Sequence, residues 1–163
     1  MIRSLVRISL CFTLTLGSHL QSSMACIQLQ QHSESIERRV AELIPKIQAG
    51  DQKSMREGFL LLPMTDGALG EDLTIALGRT IRPYAARFLE ALAAGDPKAR
   101  LDALVGSLGG EFVDNFGLQL IELEARKQAL LKVRDPKLQR ARALCLSALD
   151  EQIKVLQRME SRR

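Results

Sequence analysis

The chain has 163 residues, with 23 Lys and Arg against 19 Asp and Glu, a single Tyr and no Trp. Basic residues are interleaved with acidic ones, so there is neither the concentrated basic stripe nor the stacking aromatics that nucleic-acid binding calls for. The length is enough for one domain with a sizeable core.

Residues 1–25 read as an export signal. Arg3 and Arg7 make a short basic start, and Ile8 to Leu16 is an apolar run too short to span a bilayer as a helix. Ser23-Met24-Ala25 places small residues where a signal peptidase cuts, and the segment holds no Asp or Glu. Cleavage would leave a single domain of 138 residues, 26–163, beginning near Cys26. Arg3 and Arg7 go with the leader, which takes the net charge from +4 to +2. No later run of apolar residues is long enough to span a membrane.

Of the three cysteines, Cys11 lies in the leader. Cys26 and Cys145 form an even pair in an oxidising compartment, so a disulfide is expected between them. A lipid anchor on Cys26 is the rival reading, and Ser23 is the wrong residue three positions before a lipidated cysteine. Two unpaired thiols are the third option.

From there the pattern is helical. Ser33-Glu34-Ser35 offers an N-cap and an acidic first turn, followed by the stripe Ile36, Val40, Leu43 and Ile47. Pro45 predicts a kink or an early stop in that run. Gly50 ends it and Asp51 caps the next helix, with Met55, Phe59 and Leu62 inward and Pro63 as its stop. Residues 63–70 are a loop by composition. Leu73, Ala76, Leu77 and Ile81 give the next stripe, which Arg82-Pro83 breaks or bends, with Pro83 well suited to the first turn of a new helix. Tyr84, Phe88 and Leu92 follow, up to Gly95. Asp96-Pro97 opens a short helix with Leu101, Leu104, Val105 and Leu108, ended by Gly109-Gly110. Phe116, Leu120, Leu123 and Leu130 form one long stripe. Asp135-Pro136 opens the last helix, with Leu138, Ala141, Cys145, Leu149, Ile153 and Leu156 inward and Arg158, Arg162 and Arg163 at its basic end. Sustained alternation is missing, so the predicted fold is all-α: about six helices in a compact bundle.

An internal echo runs through this punctuation. Ala49-Gly50-Asp51-Gln52-Lys53 matches Ala94-Gly95-Asp96-Pro97-Lys98, and Asp135-Pro136-Lys137 restarts it. The spacing is that of helical-hairpin arrays. Residues 96–109, with Asp96-Pro97 followed by Ala and Leu positions and then Gly109, resemble the start of a HEAT repeat; the likeness fades elsewhere, and Gln52 replaces the proline in the first copy. The resemblance implies a short HEAT-like stack of helix pairs with a binding surface, a scaffold in place of a catalyst.

No catalytic constellation emerges. His32 is the one histidine after the leader, too little for a triad or a zinc site. Cys145 sits on an apolar stripe, which favours burial over nucleophilicity. Glu111 with Asp114, and Asp66 with Glu71, are carboxylate pairs a hydrolase could use, although each also lies near a helix start where acids are favoured anyway. Glu122, Glu124, Arg126 and Lys127 read as a solvated helix face, as do Lys137, Arg140 and Arg142. The segment Gly109 to Gly117 is the most distinctive loop: Phe112 and Phe116 suit the core, while Glu111, Asp114 and Asn115 suit capping or contact. No cofactor or metal is expected. The leading expectation is an exported, periplasmic or secreted protein-binding domain, an inhibitor or immunity protein that occludes an exported toxin or hydrolase. Asp66, Glu71, Glu111, Asp114 and Asn115 would face that partner if packing brings both loops to one edge. An adaptor subunit of an envelope assembly is the alternative, and a carboxylate-pair hydrolase ranks below both.

Overall fold

The protein is seen in a computed structural model that describes residues 34–95 and 101–162. The export signal, Cys26, His32 and the Asp96-Pro97 start lie outside the described residues. The chain divides into two units, Met1–Arg38 and Arg39–Arg163; of the first, only residues 34–38 are described, and they are helical.

The second unit is all-α. Seven α-helices are found among the described residues, with no strand. They are α1 (residues 34–48), α2 (Gln52–Leu61), α3 (Gly67–Arg79), α4 (Ile81–Ala93), α5 (Leu101–Gly106), α6 (Phe116–Leu131) and α7 (Gln139–Glu160). Short 3₁₀ turns at Leu62–Met64, Gly110–Phe112 and Pro136–Leu138 join some of them. Among the described residues no helix is long and apolar enough to cross a membrane.

The first junction shows how sequence sets the chain's direction. Gly50 donates its N–H to the Ile47 carbonyl at 2.8 Å, and Asp51 donates to Lys46 at 3.0 Å, closing α1 with a Schellman motif. Gly50 has φ +82°, and a Cβ there would lie 2.6 Å from Tyr84 Cζ, so glycine is required twice over. The Asp51 carboxylate then accepts the Ser54 N–H at 2.8 Å and starts α2. The early stop expected at Pro45 is corrected, whereas Pro83 does sit in the first turn of a new helix. α1 runs through Pro45 to residue 48. The break between α3 and α4 falls at Thr80, where the hydroxyl donates to the Leu77 carbonyl at 2.6 Å; Pro83 lies inside the first turn of α4, followed by a distortion at Tyr84 (φ −134°, ψ 39°).

Alternate helices are neighbours: α2 packs on α4 and α4 on α6, while α3 packs on α5 and α5 on α7. α6 and α7 pair as the most extensive contact. The core is the predicted stripes brought together: Val40, Leu43 and Ile47; Met55 and Leu62; Leu73, Leu77 and Ile81; Phe88 and Leu92; Leu104 and Val105; Leu123 and Leu130; Leu149 and Ile153. Phe59 meets Phe88 edge-on with ring centroids 5.6 Å apart. Of the described copies of the echo, Asp51 caps an α-helix directly, whereas Asp135 caps a 3₁₀ turn that leads into α7. Three helices (α2, α3, α4) lie between the first and second copies and two (α5, α6) between the second and third.

Candidate functional site

An open groove of about 480 Å³ lies where the start of α3, α5 and the middle of α7 meet. Gly67 and Gly70 from α3, and Ala103 and Gly106 from α5, give it small walls. Its polar groups are Glu71, Thr74, Asp102, Ser107 and Gln152. A Cβ on Gly106 would sit 3.3 Å from the Gln152 side chain, so Gln152 of α7 packs over the bare backbone of α5 there. Thr74 is already committed, its hydroxyl donating to the Gly70 carbonyl at 2.6 Å. Glu71 and Asp102 are both exposed. The groove can therefore present two carboxylates over a floor with little side-chain bulk.

The sequence-predicted contact residues fall in two places. Asp66 occupies the N-cap position of α3, exposed and making no side-chain capping bond, and Glu71 is on the groove one turn later. Glu111 is at the other end of α3, where Arg79 donates to its carboxylate. From Asp66 to Arg79 the helix rises about 20 Å at 1.5 Å per residue. The packing does not bring the two acidic loops to one edge. Asn115 caps α6 by accepting the Leu118 N–H at 3.1 Å, and Asp114 beside it is exposed with φ +63°. Capping thus falls to Asn115, while Phe112 and Phe116 are half-buried. A backbone N–H and the Arg79 guanidinium hold the Glu111 carboxyl below its usual range. A general acid needs the opposite shift.

Cys145 is fully buried, and burial pushes its thiol up to about 12. That makes it chemically quiet; its expected partner Cys26 lies outside the described residues. Among the described residues no three of His, Cys, Asp and Glu gather as a metal site would require.

Arg126 corrects the solvated-face reading. It is 1 % exposed, the largest fully buried side chain. Its Nη1 donates to the carbonyls of Val105 at 2.8 Å and Ser107 at 3.0 Å, and its Nε faces Glu122 at 3.3 Å. Glu122 also takes Arg82 at 2.9 Å. The guanidinium therefore closes the end of α5, satisfying carbonyls a helix terminus leaves open. Burial lowers its pKa and Glu122 opposes that. The spacing carried the signal: Leu123, Arg126 and Leu130 continue one core stripe at three and four residues. Asp102 and Gln152 were missed for a different reason, because they face one site only after α5 meets α7.

No family model matches this chain, and no curated protein and no solved structure matches it.

Proposed function

We propose that this chain is an exported, non-enzymatic protein-binding domain, an inhibitor or immunity protein that occludes a partner by receiving one of its basic side chains. The observation that carries this reading is the groove with Glu71 and Asp102 above the glycine and alanine walls. Small walls let a partner's backbone come close, and two carboxylates suit a protruding Lys or Arg and steer encounter. Export rests on the leader, and the HEAT-like scaffold reading rests on residues 96–109 of the sequence. The contact surface is revised accordingly: Glu71 and Asp102 line the groove, Asp66 precedes it at the N-cap of α3, and Glu111, Asp114 and Asn115 belong to a separate loop.

The test is a quantitative pull-down from envelope extract with the wild-type chain and with Glu71→Lys combined with Asp102→Lys. A stoichiometric partner lost by the double reversal, but kept by Asp114→Lys, supports the groove. Equal capture by both chains overturns it.

A second reading, an adaptor subunit, is favoured by a separate observation. Val113, Leu118 and Ile121 at the start of α6 are 66 %, 46 % and 67 % exposed. Apolar side chains this exposed and this close in sequence suit a permanent helical interface. Under that reading Ile121→Asp, and not the groove reversal, abolishes co-purification with a larger assembly.

A further inference from the structure

Residues 132–142, the corner joining α6 to α7, carry Lys132, Arg134, Lys137, Arg140 and Arg142 against one acid, Asp135. Arg142 is half-buried and donates to the Val133 carbonyl, which ties the turn together. Asp135 is occupied too, accepting the Lys137 N–H at 2.9 Å. The other four cations are exposed. The acids on neighbouring elements are engaged elsewhere: Lys127 pairs with Asp150 at 2.7 Å, and on α4 the half-buried Glu90 accepts a hydrogen bond from Gln52.

Helix electrostatics explain only half of this charge. Lys132 and Arg134 follow the C-terminus of α6, where cations are favourable. Lys137 and Arg140 flank the start of the 22-residue α7, where the dipole disfavours them and the first turn holds no acid to compensate. Four like charges fall within nine residues of the chain. Asp135, capping the turn before α7, offsets only part of this charge, and a local conflict of this kind marks a functional surface.

We infer that this corner is a docking surface for an anionic phospholipid membrane. It goes beyond the protein-binding reading and does not depend on it. Leu131, directly beside the cations, is 41 % exposed and available to enter the acyl boundary. Clustered Lys and Arg next to an apolar side chain are what an anionic lipid surface attracts. Residues 131–142 contain no aromatic side chain for stacking on bases, and the charges wrap a turn instead of lining a groove.

Sedimentation of the mature chain with vesicles tests this, comparing phosphatidylglycerol–phosphatidylcholine mixtures with pure phosphatidylcholine. The expected result is partition to the anionic vesicles only, weakening with added salt. It should drop roughly fivefold for each cation replaced by Gln among Lys132, Arg134, Lys137 and Arg140. Leu131→Ser should lower it further at constant charge. All variants share one N-terminus, so any contribution from that segment cancels, and unchanged circular dichroism shows that they fold. Failure to sediment, or sedimentation unaltered in the four-cation variant, overturns the proposal. So does tighter binding to poly-glutamate or duplex DNA than to vesicles, which would reassign the corner to a polymeric partner.

Discussion

Arg126 and Arg140 stand fourteen residues apart and have the same chemistry, but their settings are opposite. Arg126 is buried and bonded to two carbonyls and to Glu122. Arg140 is exposed at the N-terminus of α7, among cations. The first is structural: it closes α5 and anchors the packing between α3, α5 and α6. The second contributes nothing to the fold and leaves its charge available. A count of basic residues treats the two alike, and only their surroundings separate a clamp from a contact surface.

Arg126→Met would break the comparison on its buried side and should have the largest effect. It strands two carbonyls and leaves Glu122 with Arg82 alone, and the expected loss is about 3–5 kcal/mol in urea unfolding. A neutral result would mean that water replaces the guanidinium.

Cys145 gives a second measure of what burial imposes. Its folded pKa, about 12, lies above the ordinary 9.0, so the native state holds the proton longer than the unfolded chain. Between those two values stability should fall as pH rises, by about 1.4 kcal/mol per unit, and be fully present below the lower one. Cys145→Ala should remove that part of the slope. A wild-type slope identical to the variant's, with an intact mass two hydrogens light, would place Cys145 in the expected disulfide with Cys26.

Gly78 makes room for the clamp. A Cβ there would lie 2.7 Å from the Leu104 carbonyl oxygen and 3.2 Å from Arg126 Nη1. Gly78→Ala should therefore cost about 1–3 kcal/mol by forcing α3 away from α5. Thermal unfolding of this variant and of the double variant with Arg126→Met should show losses that do not add, because both disturb one contact.

The smallest effect is expected at the corner. Lys137→Gln with Arg140→Gln should raise stability by a few tenths of a kcal/mol, since an unfavourable dipole interaction disappears. A loss above about 1 kcal/mol would show that these side chains support the turn, and would erase the contrast with Arg126.

Much of the fold was legible in the chain. Gly50-Asp51 predicted a helix end and the next cap, and the stripes at three- and four-residue spacing named nearly all of the buried apolar residues. Pro83 falls in the first turn of α4, where a proline removes no helix hydrogen bond, whereas Pro45 did not stop α1, which runs on to residue 48. The groove was only partly legible. Glu71 was identified through its loop, whereas Asp102 and Gln152 look like ordinary solvated positions until α5 and α7 are packed together.

Local sequence settled where helices begin, where they end and which face is apolar, because capping bonds and side-chain periodicity act over a few residues. Tertiary structure alone decided which carbonyls the Arg126 guanidinium meets, that the two acidic loops lie at opposite ends of α3, and that the four cations of one corner find no ion-pair partner on the described elements around them. Those outcomes depend on which distant carbonyls and charges become neighbours. A side chain's electrostatic role is set by that neighbourhood as much as by its own identity.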